Sequence, residues 1–165
     1  MKKPITILLV LFAAALLLTT GHRDRRTQEI SEILGIDVTG ALLSEDRDSH
    51  GGFHGDGLRF VVLSELPPTV ATEISHAKGW REFPLTENMT ALLYGLDRGQ
   101  WKYGPYLQEN SQPLFPEIKE GWWYFYNRKT ETYDDAGVLD AGSFNFTAAV
   151  YDPATQVIYY AVFDT

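Results

Sequence analysis

The chain has 165 residues, 44% of them hydrophobic and 22% charged, with no cysteine and a formal net charge of −8. This composition fits one globular domain with a real core and excludes a disordered chain. The acid excess repels phosphate backbones and so argues against nucleic acid as a partner. Without cysteine there are no disulfides, and stability must come from packing.

The first residues differ from the rest. Met1-Lys2-Lys3-Pro4 is short and basic, and Ile5 to Thr20 (ITILLVLFAAALLLTT) carries no charge. A basic start followed by an apolar run is the order of a secretory signal. At ~1.5 Å per residue the run reaches roughly 25 Å, the short limit for a spanning helix. Residues 1–21 are therefore expected to be a signal peptide or an uncleaved membrane anchor, and 22–165 a single globular domain. Any membrane contact is expected only through the N-terminal segment. Removing Lys2 and Lys3 with that segment leaves 12 basic against 22 acidic residues, a net charge of −10.

Arg25–Leu34 reads as a helix, with Ile30, Ile33 and Leu34 on one face and Gly35 to end it. Val38–Arg47 and Leu58–Glu65 read as strands. The stretch Ser49–Gly57 (SHGGFHGDG) between them predicts the bend of an antiparallel hairpin. Pro67-Pro68 favours a helix start, and Thr69–Ala77 places Val70, Ile74 and Ala77 together. A segment with Trp80, Phe83 and Pro84 leads to a helix over Glu87–Leu96, capped by Thr86. Asp97–Glu120, with prolines at 105, 113 and 116, reads as a long ordered loop held by its aromatic rings.

The last third is β. Gly121–Arg128 (GWWYFYNR), Ser143–Tyr151 and Gln156–Phe163 are strands, the last two joined by a tight turn at Asp152-Pro153-Ala154-Thr155. Turns and loops join neighbouring strands, so the fold class is α+β. The expected architecture is an antiparallel sheet of about five strands, with two or three short helices packed mainly on one face. An N-terminal apolar signal or anchor helix would precede it. Trp122, Tyr124 and Tyr126 alternate with Trp123 and Phe125, and a strand apolar on both sides is usually covered on both. Either the helices and the long loop cover opposite faces, or one aromatic face is left for a partner.

The glycine-rich bend is the first candidate site. His50 and His54 are transition-metal ligands by type, and Asp56 would add a carboxylate. A divalent metal is the one cofactor this pattern suggests. Against it, H-x3-H-x-D puts its donors on one face only in a helix, which the glycines disfavour. Asp46-x-Asp48-x-His50-Gly51 starts like a calcium loop but lacks the later ligands. The simpler reading is a loop whose glycines supply positive φ. No metal ligand and no catalytic residue is assigned on this basis. Glu131–Asp135 with Asp140 reads as a solvated acidic connection. No nucleophile elbow, zinc-protease signature or phosphate-cradling loop is present.

The combination SHGGFHGDG, GWREFPLTEN, GWWYFYNR and NFTAAVYDPATQVIYYAVFDT resembles an uncharacterised family of small exported proteins from Gram-positive bacteria. The resemblance covers most of the chain after the apolar run. It implies bacterial origin and a cell-envelope location, and it transfers no functional residue. The resulting expectation is an exported or membrane-anchored protein that binds a protein or small ligand and is not an enzyme. One alternative is a metal-binding protein or metal-dependent hydrolase using His50, His54 and Asp56. The other is a carbohydrate- or peptide-binding module using the aromatics of 121–128.

Overall fold

Strands that are apolar on both sides form the centre of the structure. The computed structural model describes residues 25–51 and 55–165, so the apolar segment and His54 lie outside the described residues. Helix α1 covers residues 25–34 and ends at Gly35. Strands β1 (Leu42–Asp48) and β2 (Gly57–Ser64) follow as an antiparallel hairpin. Then come α2 (Val70–Ile74), β3 (Trp80–Glu82) and α3 (Glu87–Leu93). Strands β4 (Leu96–Arg98) and β5 (Trp101–Tyr103) form one small hairpin, β6 (Gln108–Glu109) and β7 (Gln112–Pro113) a second. Strands β8 (Trp122–Asn127), β9 (Asn145–Asp152) and β10 (Val157–Asp164) complete the chain, with a 3-10 turn at Val138–Asp140 between β8 and β9.

The fold is α+β. Its main sheet has six strands in the order β1-β2-β10-β9-β8-β3, all pairs antiparallel. The sixth strand is β3. Its three residues lie between Gly79 and Pro84, too few to show an alternating pattern, and only their pairing with Trp122–Tyr124 makes them a strand. Strand β1 begins at Leu42, four residues later than expected, and bulges between Leu43 and Glu45. The helix expected over 69–77 is limited to Val70–Ile74, the helix expected over 87–96 ends at Leu93, and the two small hairpins run from Leu96 to Pro113, mostly within the expected loop.

The sheet is covered on both faces, and the helices divide between them. On the first face, Ile30 and Leu34 of α1 and Val70 and Ile74 of α2 pack with Tyr124, Tyr151 and Tyr160. On the second, Met89, Leu92 and Leu93 of α3 join Leu107, Phe115 and Ile118 over Trp123, Phe125 and Phe146. Two of the three helices among the described residues thus share one face, and α3 lies on the other with the long connection. Strands β8–β10 are apolar on both sides, so neither face can be left in water without losing roughly 25 cal/mol for each Å2 exposed. Trp123, Tyr124 and Phe125 are buried, while Trp122 and Tyr126 pack half-buried against the first cluster.

Two polar devices fix the covers. Tyr124 donates its hydroxyl to the Ile33 carbonyl at 2.9 Å and Trp80 its indole N–H to the Leu34 carbonyl at 2.9 Å, which pins the end of α1. On the other side Asp135 is buried. It accepts from the Thr86 hydroxyl and from Arg81 Nη1 at 3.2 Å, while its carbonyl accepts from Asn88 at 2.9 Å. Thr86 in turn caps α3 by accepting from the Met89 N–H at 3.0 Å. The acidic connection is therefore not wholly solvated; one of its carboxylates anchors a helix start.

Removing the Asp135 carboxylate leaves Arg81 Nη1 and the Thr86 hydroxyl without that partner, while the backbone carbonyl that Asn88 bonds is kept. Since Arg81 is partly exposed, Asp135→Ala is expected to cost about 2 kcal/mol in denaturant unfolding, while the exposed Asp134→Ala costs well under half of that.

Burial is the largest cause raising the hydroxyls of Tyr94, Tyr124, Tyr151, Tyr159 and Tyr160 above the ordinary tyrosine range. A raised folded value means stability is complete below the unfolded value, about pH 10, and falls as pH rises above it. Phenolate absorbance of the native protein should therefore lack the contributions of Tyr124 and Tyr160, which appear together with alkaline unfolding.

Candidate functional site

The β1–β2 loop is closed at its neck by Ser49. Its N–H donates to the Leu58 carbonyl at 3.0 Å, and its hydroxyl accepts from the Leu58 N–H at 2.9 Å. Gly57 is required here. A Cβ at this position would sit 2.4 Å from the His50 Cα and 2.6 Å from its N, so the neck closes only over a residue without a side chain. Gly55 takes positive φ (+71°), as a bend of this kind demands.

The closed neck directs His50 toward the last strand. Its Nδ1 lies 2.7 Å from Asp48 Oδ1, and its Nε2 lies 3.0 Å from Asp164 Oδ2. The His50 N–H also donates to Asp48 at 3.0 Å. Asp164 receives Arg128 Nη2 on its other oxygen at 2.7 Å, and Arg128 binds the Phe146 and Phe163 carbonyls. The result is a continuous chain of charge-assisted contacts, Asp48–His50–Asp164–Arg128, tying β1, the loop, β10 and the end of β8 together. Burial pushes the Asp48 carboxyl up, but the hydrogen bonds from the His50 backbone and ring, with the charges of His50 and Arg59, outweigh it and hold it below the usual carboxylate range.

Beside this tie, on the second face of the sheet, lies a cleft of about 650 Å3. Leu58, Phe60 and Phe163 are among the sheet residues that line it, and Tyr106 and Leu114 line it from the long connection. Phe163 is backed by an aromatic group: its ring stacks on Phe144 at 5.6 Å and meets Phe146 edge-on at 5.7 Å. The charged lining is mostly acidic. Asp48, Asp56, Glu109 and Asp164 stand against one guanidinium, Arg47. Arg47 is paired with both Glu45 and Glu109, linking β1 to β6, and its guanidinium carbon lies 5.6 Å from the Phe60 ring centroid. Asp56 is exposed and bonds no other described residue.

The metal candidates are therefore placed as follows. Both ring nitrogens of His50 face carboxylates, so an ion on either must displace Asp48 or Asp164. Asp56 lies at the cleft and His54 outside the described residues. Among the described residues no group of three or more His, Asp or Glu could hold a metal ion. Asp46 and Asp48, which look like the start of a calcium loop, are engaged by Arg59 at 3.2 Å and by His50. The exposed aromatic among the described residues is Trp101, on the β4–β5 hairpin, and not a residue of 121–128.

Sequence reasoning singled out this loop and missed the distant residues that meet it. Asp164, Arg128, Glu109, Tyr106, Leu114 and Phe163 reach the site through the pairing of β10 between β2 and β9 and the fold-back of the long connection. No local pattern signals either. Compared with known proteins, the chain matches no family model, no curated protein and no solved structure.

Gly57→Ala should open the neck. The expected cost is about 2 kcal/mol, read by chemical denaturation, together with loss of the His50–Asp164 contact in NMR spectra of the ring.

Proposed function

We propose that this chain is a non-enzymatic binding module and that the cleft beside the β1–β2 loop is its ligand site. One observation carries the reading: a cleft of about 650 Å3 with an aromatic and aliphatic floor and a polar, charged rim. Ligand sites are commonly concave, of about 300–1,000 Å3, and mostly apolar. The hollow at Glu82–Gly121 is less than half as large, about 300 Å3. The polar groups around the cleft are engaged mainly with one another, which suits fixing a shape better than activating a nucleophile. An exported or membrane-anchored location is supported by the basic-then-apolar order of residues 1–21. Among the described residues no helix is long and apolar enough to cross a membrane.

The test is a titration of the full chain, methyl-labelled at leucine, with the neutral aromatic probes 2-phenylethanol and indole. The reading predicts saturable shifts of the Leu58 and Leu114 methyl resonances, and loss of the Leu58 shift in the cleft-filling variant Leu114→Trp. Absence of any saturable shift, or a Leu58 response unchanged by filling the cleft, would contradict it.

A further inference from the structure

We propose, resting on the reading above, that the cleft takes a small amine: a ligand with one ammonium group and an aromatic or branched aliphatic body. The apolar half of this requirement comes from the floor, where Leu58, Phe60 and Phe163 meet a ligand's body. The charged half comes from the surrounding carboxylates. Glu109 is matched by Arg47, which it shares with Glu45. Asp48 and Asp164 share His50, and Asp164 also receives Arg128. Asp56 is left over. It is exposed and bonds no other described residue, and it lines the same cleft. An anionic ligand would meet four carboxylates and a guanidinium already committed to two of its own acids. A cation meets an unmatched carboxylate in a protein whose overall charge is −8.

The chain's own Arg47 shows that this environment holds a cation. Its guanidinium lies over the Phe60 ring, with 5.6 Å to the centroid, and is held by carboxylates from β1 and β6. A ring face together with nearby carboxylates is the combination that binds organic cations. Asp56 offers a ligand's ammonium a carboxylate of its own, while the aromatic lining receives the body.

The experiment compares three probes with the same phenyl body on the full chain, reading the Leu58 and Leu114 methyl resonances. They are 2-phenylethylammonium, 2-phenylethanol and 3-phenylpropionate. The ammonium is expected to bind about tenfold more tightly than the carboxylate, with the alcohol between them, and raised salt should narrow the difference. Asp56→Asn, at an exposed position whose loss does not threaten the fold, should reduce the ammonium's advantage severalfold and leave the alcohol unchanged. Equal affinities, a tighter carboxylate, or an advantage untouched in Asp56→Asn would overturn the proposal while leaving the binding reading intact. If none of the three shifts either methyl, the binding reading fails, and this proposal with it.

Discussion

The constraint on which the rest depends is that the central strands are apolar on both sides. In β9 every residue from Phe146 to Tyr151 is buried, and in β10 Ile158 and Tyr160 face one cover while Tyr159, Ala161 and Phe163 face the other. A sheet of this kind needs two covers. Helices α1 and α2 make one. Among the described residues few others are helical, and α3 alone is seven residues long, so the second cover is completed by the irregular connection after it. Phe115 packs edge-on against Phe60 at 5.5 Å and against Tyr159 at 6.2 Å, Leu107 is fully buried, and the Leu92 carbonyl accepts from the N–H groups of Tyr106 and Leu107.

The cleft follows from the geometry of that second cover. Where Tyr106 and Leu114 meet the open end of the sheet, Leu58, Phe60 and Phe163 line a cavity of about 650 Å3. The same end carries the chain of contacts from Asp48 through His50 and Asp164 to Arg128. That chain joins the loop between the first two strands to the last strand, so the wall of the cleft is cross-linked across 114 residues of sequence. The histidine that reads in isolation as a metal ligand lies between the carboxylates of Asp48 and Asp164.

The parts of the fold set by local chemistry were legible in the sequence. Gly35 ends α1, Thr86 caps α3, and the Asp152–Thr155 turn joins β9 to β10 where residue types alone place them. The hairpin around the glycine-rich stretch and the two-sided character of β8 were equally readable. Elements set by tertiary partners were not. Strand β3 has three residues and exists because Trp80–Glu82 pair with β8, and the hairpins of 97–120 are two or three residues to a strand. Asp135 looks like one acid among several until Arg81 and Thr86 are brought to it from about fifty residues away. At the cleft, SHGGFHGDG marked the loop, but Asp164, Glu109 and the aromatic floor are contributed by distant segments.

The most direct test of this account asks whether the connection after α3 is truly the second cover of the sheet. Side-chain NOE measurements on the full chain, assigned at Phe60, Phe115 and Tyr159, address it in one experiment. The account predicts cross-peaks from the Phe115 ring to both Phe60 and Tyr159, with the Phe115 ring shielded from solvent paramagnets. A Phe115 ring that shows neither cross-peak and is open to solvent would contradict it, because the second face would then be bare and the cleft would lose a wall.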